Sequence, residues 1–269
     1  MIESSHRFIL LNNQQVVSAA GYFAARHLYG SGVFTTLTVY SGKPFLWEKH
    51  WRRLAENAEK IGIDVSNFSD GGARMAVADL IEKNKVRDGR VRMTFFDESA
   101  SAIWTSEAEQ RVSFLVMTAN LRALEGEFRL TISPYRINST SPLAGVKSCN
   151  YLEKILAKEE AKQLAFDEAI QLNERGEIAS ACMANVFWQT DGRFFTPSLR
   201  TGCLAGTTRE FVLENLECDE VEAGIEELKC ADAIYLTSAG VGVTQVAEFD
   251  GRELRREPHA IMKLLPPRN

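Results

Sequence analysis

No stretch of this 269-residue chain approaches the roughly 20 apolar residues that a membrane-spanning helix needs. The opening residues, MIESSHRFILLNNQQVV, also lack the basic, apolar, small-residue order of a secretory leader. Together these absences predict a soluble, cytoplasmic protein with no membrane partner. The five cysteines are odd in number and scattered, with no C-x-x-C pair, and the four histidines are isolated from one another and from the cysteines. That argues against a disulfide frame and against a zinc site, so no metal is expected. Net charge is −5 with dispersed basic residues, which argues against a nucleic-acid partner. No repeat or low-complexity tract interrupts the chain.

What is present is enough apolar sequence, 45% of residues, to fill one large or two ordinary cores. FILLNNQQVV and VFTTLTVY read as strands, with turn signals at Asn12, Asn13, Ser41 and Gly42. EKHWRRLAENAEKIGI spaces Trp51, Leu54, Ala58 and Ile61 by three and four, a helical stripe. A second helix, SDGGARMAVADLIEKNKV, has Ser69 or Asp70 near its cap, and GRVRMTFFD follows as a strand. VSFLVMTANL and EFRLTISPYRI flank a domain junction. The expected division is a small N-terminal α/β domain at 1–118, a linker at 119–125 and a second domain at 126–269. In the second domain a helix at 150–164 precedes strands DEAIQLN, EIASA, ANVFWQT and RFFTP, and GTTREFVLENL and the PHAIMKLL end read as helical.

Several residues carry chemistry. Lys147 lies at a loop-to-helix junction in LAGVKSCNYLEKILAKEEA. A lysine there is either a solvated surface cation or, where burial and a nearby cation lower its pKa, an amine able to condense with an aldehyde. Gly206, Thr207 and Thr208 open an amphipathic helix, so unpaired N–H groups and the positive dipole end converge where an anion would be stabilised; the alternative is that they merely cap the helix. Arg52 and Arg53 are adjacent on one helix and point about 100° apart, so only one can face a common site.

These pieces resemble, in order and over more than 200 residues, the fold-type IV pyridoxal 5'-phosphate enzymes, the class IV aminotransferase family. That family includes branched-chain and D-amino-acid aminotransferases and 4-amino-4-deoxychorismate lyase. The matching segments are YGSGVFTTLTVYSGKPFLWEKHWRRL, KSCNY, GEIASACMANVFW, TPSLRTGCLAGTTREFVLE and AIYLTSAGVGVTQVAEFDG. The resemblance implies a two-domain α+β fold whose larger C-terminal domain is β-barrel-like with helices. It further implies pyridoxal 5'-phosphate bound to Lys147 as the Schiff-base lysine, with its phosphate gripped by Arg53, Gly206, Thr207, Thr208 and the Ser238 loop. His50 of the H-x-x-R-L motif is expected to be a structural hydrogen-bonding residue. Tyr151 would tune the cofactor's phenolic oxygen, and Asn185 would either support the site or fix a strand turn. By the same resemblance Thr36 would be a substrate contact, and Arg26 and Arg92 are candidates for substrate carboxylates, with a surface role as the alternative for each arginine. Asp97 stands where some relatives carry a basic residue. The aromatic residues around YGSGVF suit a homodimer contact.

The departure is Ser180. The family's G-x-V-x-E motif sets a glutamate beside the pyridine nitrogen, where its charge keeps the ring an electron sink; here GEIAS ends in serine. Glu177 would face the other side of a strand unless a bulge intervenes. In the last loop, Ser238 and Ala239 stand where aminotransferases show Gly-Thr or Ser-Thr. A weaker electron sink favours a reaction that disposes of its own electrons, and the FTT, LAGVK and ACMANVFW motifs resemble the lyases. The expected reaction is elimination of pyruvate from the amine substrate 4-amino-4-deoxychorismate to give 4-aminobenzoate. The alternatives are a D-amino-acid or branched-chain-type aminotransferase and a catalytically impaired cofactor-binding relative.

Overall fold

The computed structural model describes residues 9–12, 14–16, 30–97, 112–121, 127–256 and 259–266. The chain divides into two units, Met1–Ala123 with Val146–Asn150, and Leu124–Gly145 with Tyr151–Asn269. Of the linker expected at 119–125, residues 122–125 lie outside the described residues, and strand β6 of the first unit continues to Asn120. Arg26, Tyr29 and Asn13 also lie outside them.

The first unit is a six-stranded sheet in the order β2-β1-β6-β5-β3-β4. Its strands are β1 (Ile9–Leu11), β2 (Gln14–Val16), β3 (Gly32–Tyr40), β4 (Lys43–Pro44), β5 (Gly89–Asp97) and β6 (Val112–Asn120), with helices α1 (Trp47–Lys60) and α2 (Asp70–Lys83). Every adjacent pair is antiparallel. The β3–β4 turn is made by Ser41 and Gly42 at φ 48° and 76°, the left-handed pair that a two-residue hairpin requires. Alternation along β3 and β5 sends Val33, Leu37, Val39, Val91, Met93 and Phe95 into one core with Leu54 and Ala58 of α1 and Val77 and Leu80 of α2. Burying each of the valine, leucine, methionine and phenylalanine side chains contributes about 1.5–3 kcal/mol. Ser69 accepts from the Gly72 N–H and caps α2. The indole Nε1 of Trp47 donates to Asp70 Oδ1 at 2.6 Å and ties the two helices together.

The stripe expected on α1 is only part of its inward face. Leu54 and Ala58 are buried, Trp51 and Ile61 pack against the core at its edge, and the helix also turns His50 and Arg53 inward. Hydrophobic periodicity does not register those two polar residues.

The second unit is built on a nine-stranded sheet in which β12-β11-β10-β13-β14-β7-β8-β9 are consecutive neighbours and β15 pairs with β14. The strands are β7 (Phe128–Ile132), β8 (Glu168–Leu172), β9 (Ile178–Ala181), β10 (Asn185–Thr190), β11 (Arg193–Pro197), β12 (Asp219–Val221), β13 (Ala233–Ser238), β14 (Gly242–Phe249) and β15 (Arg252–Glu253). The helices are α3 (Leu152–Gln163), α4 (Thr207–Asn215) and α5 (Ile225–Cys230). Period-two alternation divides its side chains between two cores. Val186, Trp188, Ile234 and Leu236 join Ile170, Ile178 and Val246 on one face. Phe187, Ala233 and Tyr235 face Val212 of α4 and Ile261 on the other. A smaller cluster sets Ala157 and Ala161 of α3 on Ala169 and Cys182. The expected C-terminal helix is reduced to a 3-10 turn, Ala260–Lys263. Among the described residues no helix is long and apolar enough to cross a membrane.

Candidate functional site

In the first unit, Lys147 is positioned by main-chain bonds. Its N–H donates to Asn57 Oδ1 of α1 at 2.7 Å, and its carbonyl accepts from the Phe34 N–H at 2.9 Å. Ser148 then bridges Val33, and the Cys149 N–H donates to the Gly32 carbonyl at 2.7 Å, so residues 147–149 run as a short rung along β3. The Lys147 ammonium lies 4.5 Å from the centre of the Phe34 ring, and the Arg92 guanidinium lies 3.7 Å from the same centre. Thr36 stands directly opposite Arg92 in the β3–β5 ladder, so Phe34, Thr36 and Arg92 share one face of the sheet. Two cations gathered on one aromatic ring make this face attractive to an anion. Arg92 also acts on the Cys149 thiol, whose pKa burial raises and the arginine partly restores.

Thr35, between Phe34 and Thr36, points to the other face. Its Oγ1 accepts from Arg53 Nη2 at 2.8 Å and lies 2.7 Å from His50 Nδ1. Guanidinium only donates, so the threonine oxygen is the acceptor for Arg53, while the bond to His50 runs in the direction its tautomer sets. Burial first, then the charges of Arg53 and Lys147, hold the His50 pKa well below its ordinary value, so the ring is neutral. Arg53 is buried, whereas Arg52 is exposed and lies 3.8 Å from Glu56. Thr35, Asn57 and Phe34 carry this geometry, yet no spacing rule singles them out; the FTT run was the only trace of two of them.

In the second unit, α4 starts at Gly206, whose side of the first turn has no side-chain cap. Thr207 and Thr208 are buried at that end. A Cβ on Gly206 would lie 2.0 Å from Asn185 Oδ1, so only glycine lets the backbone approach. Asn185 in turn donates from Nδ2 to the Leu204 carbonyl at 2.8 Å, which braces the loop before the helix. Ser238 Oγ accepts from the Val241 N–H at 3.2 Å and so serves the β13–β14 turn. Its neighbour Thr237, opposite Asn185 in the ladder, is buried with a hydroxyl that has no partner among the described residues. Tyr151 is the N-cap residue of α3 and accepts at its carbonyl from Ile155.

Ser180 lies in β9, buried, and its hydroxyl likewise has no partner among the described residues. The β8–β9 register does shift, with Gln171 opposite Ser180 and Leu172 opposite Ile178, so Ala179 is a bulge residue. Glu177 is nevertheless committed elsewhere. Its Oε2 accepts from Asn173 Nδ2 at 2.7 Å and Arg175 Nη2 at 2.7 Å, and these partners lower its pKa. No carboxylate of that strand is therefore free to stand in for a glutamate at 180.

The family model described as amino-transferase class IV matches residues 32–249. The chain is 28% identical over 250 residues to aminodeoxychorismate lyase of Bacillus subtilis, covering 88% of this chain and 85% of that protein. It is 26% identical over 232 residues to D-alanine aminotransferase of Bacillus licheniformis, covering 84% and 81%. Among solved structures, the branched-chain aminotransferase of Thermoproteus uzoniensis with norvaline superposes with a TM-score of 0.88 at 26% identity, covering 97% of this chain and 92% of that one.

Proposed function

The chain belongs to the amino-transferase class IV family, and on that premise we propose that it is an aminodeoxychorismate lyase-like enzyme, with an aminotransferase of D-amino or branched-chain acids as the second reading. Pyridoxal 5'-phosphate is its cofactor. The residues fit that group. Helix α4 starts at Gly206 with no side-chain cap, so its positive end suits a phosphate, and Arg53 is a buried guanidinium suited to a phosphate oxygen. When bound, the cofactor supplies an aldehyde that captures amines and a ring that withdraws electrons from the carbon bearing the amine.

In this reading Lys147 would anchor the cofactor, take the proton from the substrate's amine-bearing carbon as general base, and act as general acid for the proton that the departing enolpyruvate needs to leave as pyruvate. Its main-chain bonds to Asn57 and Phe34 fix the root of the side chain. Neutral His50 and Thr35 orient Arg53; Arg53 in the first unit and Gly206, Thr207 and Thr208 in the second are each assigned to the phosphate by the family reading, while Asn185 and Ser238 keep the two loops of the second unit in shape. Thr36 and Arg92, opposite one another beside Phe34, receive a substrate carboxylate; Arg26 is the further candidate, and Tyr151 tunes the cofactor's phenolic oxygen.

The preference for the lyase rests on one observation: Ser180 stands buried where a carboxylate is expected, and Glu177 is tied to Arg175 and Asn173. With the electron sink weakened, an elimination that ends in an aromatic ring suffers least. The substrate loses the proton at the amine-bearing carbon, the bond to the enol-ether oxygen breaks, pyruvate leaves and 4-aminobenzoate remains. Incubating the cofactor-loaded protein with 4-amino-4-deoxychorismate, and separately with amino acid and keto acid pairs, tests this. Release of 4-aminobenzoate supports the lyase, and amine exchange without it overturns the preference.

A cytoplasmic homodimer completes the reading. Leu152, Ile155 and Leu156 form an apolar row on α3 with exposures of 65%, 44% and 52%, which suits a second subunit. Sedimentation as a fully active monomer would remove the dimer from it.

A further inference from the structure

Helix α3 packs on β8 and β9 through Ala157 and Ala161, which close on Ala169 and Cys182. Lys154 precedes these alanines by three and seven residues, so it lies on the same helix face, nearer the N-terminus. Its Nζ donates to Gln171 Oε1 at 3.3 Å. Gln171 is the direct cross-strand partner of Ser180, and paired residues of an antiparallel ladder present their side chains on one face. Lys154 therefore reaches over the row that contains Ser180.

Lys154 and Ser180 bring hydrogen-bond donors to this corner. An ammonium has three N–H groups, and the 3.3 Å bond to Gln171 engages one. The buried Ser180 hydroxyl has no partner among the described residues. The carboxylate on β8, Glu168, is bound through Oε2 by Lys158 of α3 at 3.2 Å, and its Oε1 is buried with no partner among the described residues. The nearby thiols are neutral, since burial raises Cys203 and pushes Cys182 up to about 12. Desolvation also pulls the Lys154 pKa down, as expected for an amine enclosed without a dedicated counter-charge. Glu168, Glu153, Cys182 and Cys203 are the groups that oppose that shift.

We propose that Lys154 is the charged residue at the ring-nitrogen end of the cofactor site, and that with Ser180 it presents hydrogen-bond donors to an unprotonated pyridine nitrogen. The proposal rests on the cofactor reading above and on Ser180 facing that end. An unprotonated ring nitrogen is an acceptor and matches these donors. A pyridinium would set an N–H against other donors and a positive charge beside an ammonium. Lys154 thus does more than fill space left by a shortened side chain: it reverses the sign of charge that the ring meets.

The test uses protein loaded with pyridoxal 5'-phosphate labelled with nitrogen-15 in the ring, read by nitrogen-15 NMR, where pyridine and pyridinium resonate far apart. The wild type is expected at the pyridine position from mildly acidic to mildly alkaline buffer. Lys154→Glu is expected to move the resonance to the pyridinium position, and Lys154→Arg to leave it in place. A pyridinium signal in the loaded wild type overturns the inference and leaves the cofactor reading standing. So does an unchanged pyridine signal in a fully loaded Lys154→Glu protein. Loss of all label from folded wild-type protein on gel filtration would instead sink the cofactor reading and this inference with it. Should Lys154→Glu fail to fold, the wild-type resonance still decides.

Discussion

Arg53 donates through Nη2 to the Thr35 hydroxyl at 2.8 Å, inside the core of the first unit, and that one oxygen also orients the neutral ring of His50. A guanidinium in a buried position is held by its partners or not at all. Thr35→Val keeps the shape and removes the acceptor, and is expected to destabilise the protein by about 1–3 kcal/mol and to weaken retention of pyridoxal 5'-phosphate. Thr35→Ser should restore both. Thermal unfolding and cofactor titration of the two variants measure this; wild-type retention by the valine variant would dissociate Thr35 from Arg53.

His50 makes stability depend on pH in a defined direction. The unfolded chain takes up a proton at this residue near the ordinary value of 6.5, and the folded chain does so only at lower pH. Between those two values the unfolded state binds more protons. Stability is therefore fully present above that window and is lost as pH falls through it, by at most about 1.4 kcal/mol per pH unit. His50→Asn, which keeps a hydrogen-bond partner for Thr35 without a titrating ring, should flatten this acid limb in denaturant titrations at several pH values.

Gly206 and Asn185 cannot both keep their places if residue 206 carries a Cβ, because the two atoms would lie 2.0 Å apart. Gly206→Ala should weaken cofactor binding by at least about tenfold, equivalent to about 1.4 kcal/mol. The double variant Gly206→Ala with Asn185→Ala should recover part of that affinity, since the colliding oxygen is gone. Equilibrium dialysis against pyridoxal 5'-phosphate reads both; additive losses would mean that the close approach is not the cause.

Lys147→Ala should abolish turnover and change stability by less than about 1 kcal/mol, because the bonds that hold this residue are main-chain bonds that alanine retains. Borohydride reduction and peptide mapping of the loaded wild type should tag Lys147. A tag on Lys154 would exchange their roles.

Much of the fold was legible because it is local. Period-two runs mark β3, β5 and β10, Ser69 caps α2, and Ser41-Gly42 turns the β3–β4 hairpin, each through contacts within a few residues. The choice of Arg53 over Arg52 is also local in part, since neighbours on a helix must point apart. Family resemblance supplied Lys147, Gly206 and the absence at Ser180, all visible in the order of short motifs. The partners of these residues were not visible. Thr35 reaches His50 and Arg53 across 15 and 18 positions, Asn57 reaches Lys147 across 90, and Lys154 bonds Gln171, which the β8–β9 register sets opposite Ser180. Backbone propensity and periodicity are properties of a segment and its own side chains. Which donor meets which acceptor depends on strand pairing and on how a helix lies over a sheet, and those are decided only when distant segments compete to bury their surfaces together.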